Sequence, residues 1–91
     1  MDFEWDDQKN ERNLRVHKLS FEQSVSVFLD PLRAFTVDDR EAYGEERLTM
    51  YGQAEGRLLA VTYTMRGESV RIISARKATR QERQRYEDGE V

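Results

Sequence analysis

The chain has no cysteine. Disulfides and thiolate metal sites are thereby excluded. No apolar run approaches the roughly 18 residues of a membrane helix. The opening MDFEWDD is acidic and lacks the apolar centre of a secretory signal. A cytoplasmic protein without a membrane partner is therefore the expectation. The carboxylate pairs Asp38-Asp39 and Glu45-Glu46 lack the spacing of a cation-binding loop, so solvated loops are expected there, with no metal and no cofactor. Proline occurs once, at Pro31, and that is where a helix is expected to stop.

What is present fits one domain over residues 1–91. A chain of this size buries only about 60–65 % of its unfolded surface, so its core is modest. Hydrophobic residues make up 37 % and charged residues 36 %, but nine aromatics and clear periodic segments favour a folded chain over a disordered one.

The net charge of −3 hides an asymmetry. Residues 1–46 carry six cations and twelve acids; residues 47–91 carry nine cations and six acids. Between Arg57 and Arg85 there are eight cations against two acids, Glu68 and Glu82. Nearly all these cations are arginine, the side chain suited to bidentate phosphate contacts. A local field of this kind matters more to nucleic acid than the total charge. The plain alternative is a solvated charge mosaic.

Alternation places a short strand at residues 2–5, with Phe3 and Trp5 on one side. Asp6 caps a very polar helix over residues 7–17, in which Leu14 is the expected apolar anchor. Ser20 and Gln23 form a capping box for a second helix, and Phe21, Val25, Phe28 and Leu29 give it a core stripe. Strands follow at residues 34–37 and 47–52, with the polar connection 38–46 between them, and a hairpin turn at 53–56 leads into the strand 57–66. On that strand Leu59, Val61, Tyr63 and Met65 are expected in the core, opposite a smaller, more polar face. Gly67 turns the chain into SVRIISA, a central strand by composition whose parity is open: Val70, Ile72 and Ser74 oppose Arg71, Ile73 and Ala75. Thr79 and Glu82 form a second capping box, starting a helix too polar for a core and ended by Gly89. The order predicts an α+β domain, an antiparallel sheet with two N-terminal helices packed on one face and a polar C-terminal helix.

Across nearly the whole chain, one set of residues resembles a known family. Phe3-Glu4-Trp5-Asp6, Lys9, Asn13, His17, Ser20-Phe21-Glu22, Phe28 and Asp30-Pro31 come first. Gly44-Glu45-x-Arg47, Gly52, Gly56-Arg57, Thr64-x-Arg66, Arg71 to Arg76 (RIISAR) and Glu82-Arg83-x-x-Tyr86 follow. Together they resemble the BrnT toxins, ribonucleases of type II toxin–antitoxin modules whose fold is similar to the RelE toxins. One departure stands out: where the family pattern has Lys-His-Gly, this chain has Val16-His17-Lys18. Either the turn there is not left-handed, or Lys18 is strained. The resemblance implies RNA cleavage, arrest of translation and growth, and neutralisation by a BrnA-type antitoxin with a ribbon-helix-helix DNA-binding domain. DNA would then be reached only through the antitoxin, in a hetero-oligomer of the two proteins. A non-catalytic module binding RNA or protein is the alternative.

A metal-independent ribonuclease needs a group to take the 2′-hydroxyl proton, charge to stabilise the phosphorane, and a proton for the leaving 5′-oxygen. With one histidine, the two-histidine solution is unavailable within one chain. Arg66 and Arg76 are the candidates for phosphate positioning, although an antiparallel turn puts them at opposite ends of a hairpin; surface ion pairs are the alternative role. Arg71 lies between them and is a candidate for RNA binding, with a surface ion pair as the alternative. His17 is a candidate acid or base, or else a structural cap. Tyr86 either stacks on a base or donates a proton, or anchors its polar helix. Arg47, Arg80 and Arg83 are candidates for RNA backbone binding, the last two also for antitoxin contact.

Overall fold

The computed structural model describes residues 1–38 and 45–90. Asp39 of the first carboxylate pair, Gly44 and most of the expected polar connection lie outside them. The elements are β1 (Asp2–Glu4), α1 (Asp7–His17), α2 (Phe21–Ser24) running into a 3₁₀ segment (Val25–Leu29), β2 (Ala34–Asp38), β3 (Arg47–Ala54), β4 (Arg57–Arg66), β5 (Ser69–Lys77) and α3 (Arg80–Glu87). The strands form one sheet in the order β1-β5-β4-β3-β2. It is an α+β fold, but the sheet is mixed: β1 runs parallel to β5, while every other pair is antiparallel. The purely antiparallel expectation fails at that edge because β1 pairs with a strand more than sixty positions away, which no local pattern encodes.

One face of the sheet carries the core. Met50, Ala54, Leu59, Val61, Tyr63, Val70, Ile72 and Ala75 form a single cluster with Leu19, Phe21, Val27 and Phe28. Phe28 sits edge-on between Phe3 and Tyr63, with centroids at 5.2 and 5.1 Å, and Trp5 meets Phe21 at 6.0 Å, so edge-to-face ring pairs join β1, the 3₁₀ segment and β4. Both capping boxes form as expected, at Ser20–Gln23 and Thr79–Glu82.

Three core expectations need correction. Leu29 is 79 % exposed, because the helix tightens from α to 3₁₀ after Ser24 and the faster rotation turns Val27 and Phe28 inward instead. Met65 is 48 % exposed at the end of β4. The opposite β4 face, Leu58, Ala60, Thr62 and Thr64, is buried as well, as befits the middle strand of five. Glycine at position 52 permits the tight approach of the 3₁₀ segment: a Cβ there would lie 2.8 Å from the Val27 carbonyl oxygen.

Leu14 is not the anchor of α1 either; it is half exposed, and the residue beside it, Asn13, is 6 % exposed. β1 accompanies β5 only from Ser69 to Arg71, leaving the rest of that edge without a strand. The Asn13 side chain takes the strand's place. Its Oδ1 accepts from the Ala75 amide at 3.1 Å, and its Nδ2 donates to the Ala75 carbonyl at 2.8 Å and to the Leu19 carbonyl at 2.8 Å. One turn earlier, Asn10 Oδ1 accepts from the Phe21 amide at 2.7 Å, tying α2 to the same helix.

The parity of β5 is settled by a β-bulge. Thr62 pairs with Ser74 but Tyr63 pairs with Ile72, so Ile73 is the extra residue. Val70 and Ile72 face the core before it and Ala75 after it, while Arg71, Ser74 and Arg76 share the other face.

The Lys18 question is also answered. Lys18 adopts φ 61° and ψ 30°, and its amide closes α1 on the Leu14 carbonyl at 3.0 Å. The turn is left-handed, and Lys18 rather than a glycine adopts it. Lys18→Gly is accordingly expected to stabilise the fold by about 1 kcal/mol, read as a higher denaturation midpoint in urea. Asn13→Leu is expected to destabilise by roughly 2–4 kcal/mol, since it strips three hydrogen bonds from a buried site. An unchanged midpoint for Asn13→Leu would show that the β5 edge does not depend on it.

Candidate functional site

Strand register builds the second face of the sheet in rows. Thr36 pairs with Thr49, Thr49 with Thr62 and Thr62 with Ser74, so four hydroxyl residues cross four strands in line. The next row toward α3 is Ala34, Tyr51, Ala60 and Arg76. On the other side Asp38 pairs with Arg47, and Thr64 with Arg71. The hydroxyl row thus runs between Arg76 on one flank and Arg47 and Arg71 on the other. Its residues, with Val37, Asp38, Tyr51 and Arg76, line a polar depression of about 390 Å³.

Arg76 is oriented by Glu82 at the first turn of α3. Nη1 donates to Oε1 at 2.8 Å and Nη2 to Oε2 at 2.9 Å, a bidentate pair. The Tyr51 hydroxyl meets the same carboxylate at 3.3 Å. The Arg76 guanidinium, helped by the Thr79 cap and opposed by burial, holds the Glu82 carboxyl down at about 2. Burial pushes the Tyr51 phenol above its ordinary value, with Glu82 adding to the effect and Thr36 opposing it. At neutral pH, then, the depression holds a protonated phenol, a fixed guanidinium and an ionised carboxylate.

Residues 5–82 match the family of BrnT ribonuclease toxins of type II toxin–antitoxin systems. The chain belongs to that family. No curated protein gives a match. The span common to the BrnT toxins takes in the whole hydroxyl row, Arg76 and Glu82, and ends before Arg83 and Tyr86. No described helix is long and apolar enough to cross a membrane.

The residues singled out from the sequence of this BrnT-family chain do not converge on one point. Arg76 stands in the depression, and Arg47 and Arg71 flank it; Arg71 is ion-paired with Glu4 at 2.8 Å. Arg66 is exposed at the far end of β4, opposite Ser69, while Arg76 faces Ala60. Six strand positions separate the two, about 20 Å. Arg80 and Arg83 are exposed on α3, where Arg83 approaches Glu87 at 3.9 Å. His17 lies at the end of α1 and lines a separate groove against β5. Tyr86 donates from its hydroxyl to the Asp30 carboxylate. Burial, then Asp30, pushes its phenol up to about 12, so it keeps its proton at neutral pH. Among the described residues no three His, Asp or Glu side chains are grouped to hold a metal ion.

Sequence reasoning missed Tyr51, Glu82 as the orienter of Arg76, and the threonines. Alternation along residues 47–52 puts Thr49 and Tyr51 opposite Leu48 and Met50, but only the register aligns them with Ser74 and Arg76.

Glu82 has a depressed folded value, about 2 against an ordinary 4.5, so its contribution is present above about pH 4.5 and is lost as pH falls toward 2. With Arg76 two-fifths exposed, that contribution is about 1–2 kcal/mol. Acid unfolding of Glu82→Gln should show a correspondingly shallower loss of stability across this window than the parent chain; parallel pH curves would remove the ion pair from the account.

Proposed function

We propose that the chain is an endoribonuclease toxin that cleaves RNA without a metal ion on the hydroxyl-lined face of a RelE-like sheet. The observation that carries this reading is the row Thr36-Thr49-Thr62-Ser74 held between Arg76 and the Arg47–Arg71 flank. Hydroxyls and guanidinium groups are the donors a phosphodiester accepts, and fixed donors cost no reorganisation when charge develops on the phosphorane.

In this reading Arg76, held in place by Glu82, stabilises the phosphorane. Tyr51, protonated at neutral pH and bonded to the same carboxylate, serves the leaving 5′-oxygen. Glu82, ionised down to about pH 2, orients and is too weak a base to take the 2′-proton. His17 is the proposed group for that proton transfer; its groove shares Ser74 with the depression. Tyr86 holds α3 in place. Arg47 and Arg71 grip the RNA backbone beside the site, and Arg66, Arg80 and Arg83 extend the cationic surface to RNA or antitoxin. Cleavage arrests translation and growth in the cytoplasm. A BrnA-type ribbon-helix-helix antitoxin neutralises the toxin in a hetero-oligomer and carries its contact with DNA.

Incubating the purified chain with a long RNA tests this directly. Cleavage is expected with and without EDTA. Arg76→Ala should lower the rate by roughly 10²–10³-fold, and Tyr51→Phe, which keeps the ring, by roughly 10²-fold. Full activity in both variants would remove this face from the mechanism. Loss of cleavage in EDTA would overturn metal independence. RNA binding with no cleavage under either condition would establish the non-catalytic module instead.

A further inference from the structure

Proton transfer by His17 does not account for the rest of the groove between α1 and β5. Lys9, Arg12 and His17 line one side, on the face of α1 that i, i+3 and i+8 spacing brings together. Val16 and Ile73 line the apolar part, with Ser74 at the boundary, and the enclosed volume is about 290 Å³. Ile73 is half-buried there because it is the bulged residue of β5 and belongs to neither regular face.

The charge is one-sided. Among the described residues neither Lys9 nor Arg12 has a carboxylate within ion-pair distance. This occurs in the half of the chain where acids outnumber cations twelve to six. A solvated helix face in so acidic a segment has no reason to segregate its cations over an apolar floor. Cations above a flat apolar surface are what a nucleotide requires: phosphate on the charges, base against the hydrocarbon. The volume is at the small end of ligand pockets.

Position supplies the second observation. Ser74 lines both this groove and the depression that holds Arg76, so the two meet at one residue on the β5 edge. Asn13 fixes that meeting, because its bonds to Ala75 pin α1 next to Ser74. Building on the RNA-cleaving reading above, we propose that the α1–β5 groove is a nucleotide subsite. It holds the RNA nucleotide adjacent to the phosphodiester at Arg76, through Lys9 and Arg12 over Val16 and Ile73, with His17 at its border.

His17 is the one histidine of the chain, so its ring proton signals report on the groove without labelling. Adding adenosine monophosphate should shift them saturably, and more strongly than inorganic phosphate does. The shift should be lost in Lys9→Gln/Arg12→Gln, both exposed positions that the fold does not use. Binding of a 2′-O-methyl oligonucleotide, which cannot be cleaved, should weaken in the same variant by roughly 10-fold or more. Its log K against log salt slope should fall by about 1.4, two cations at ~0.7 each. A slope unchanged from the parent chain overturns the subsite. So does an equal response to phosphate alone, or a response to a glutamate-rich peptide and none to the nucleotide. The outcomes separate from those at Arg76. A parent chain that shows the groove-dependent slope yet cuts no RNA retains the subsite and loses the catalytic reading; one that cuts RNA with an unchanged slope does the reverse.

Discussion

The pairing of the Asn13 side chain with the Ala75 backbone is the constraint from which the rest of the arrangement follows. β1 ends at Glu4 and β5 runs on to Lys77, so without a partner two-thirds of an inner strand would present a bare edge. An asparagine has both a donor and an acceptor on one planar group, and here it meets the amide and the carbonyl of a single residue. This bond pattern sets the rotation of α1 about its axis. Leu14 consequently turns to solvent, and Lys9, Arg12 and His17 turn to the groove along β5. Asn10, one turn away, then caps the start of α2 and delivers Phe21 and the 3₁₀ segment to the core face.

The bulge at Ile73 is the second constraint, and it acts on function through parity. In a regular strand Val70 and Ile72 share a face with Ser74 and Arg76. Such a strand would either bury the arginine in the core or bring Val70 and Ile72 out to solvent. One inserted residue lets β5 give Val70, Ile72 and Ala75 to the core and still align Ser74 and Arg76 with Thr62 and Ala60. The local disruption of the ladder is the cost of combining a packed strand with a charged face. It also leaves Ile73 at the strand edge, where it becomes part of the groove floor.

Local signals and long-range signals differ in how far the sequence carries them. Asp6, Ser20 and Thr79 each cap a helix through bonds to residues two or three positions on, so the helix starts are readable from the chain. The strand 57–66 is fixed by its own alternation and its two turns. The parallel pairing of β1 and the role of Asn13 depend on partners 67 and 62 positions away, and the bulge on the register between β4 and β5; a single sequence has no term for them. Arg76 is identifiable as a candidate from the chain, but Tyr51 is brought beside it by strand register, and Glu82, only six residues on, is read from the chain as a capping residue alone. The charge pattern was legible as a phosphate-handling stretch, but its division between a hydroxyl-lined face and the surface of α3 is a product of register.

α3 shows how a helix without an apolar face is held. It has no buried residue, yet two polar clamps fix it. Glu82 is joined to Arg76 and Tyr51 at one end, and Tyr86 to Asp30 at the other. Asp30 also accepts from the amides of Gln53 and Leu32. Burial pushes the Asp30 carboxyl up, but these bonds and the Arg33 charge outweigh it and hold it below its ordinary value. The two clamps share one helix, so the orientation of Arg76 is tied to the turn that follows the 3₁₀ segment on the far side of the sheet. Hydrophobic contact is non-directional and would leave α3 free to slide. Charge-assisted hydrogen bonds at both ends fix its register, and with it the direction in which the guanidinium meets the hydroxyl row.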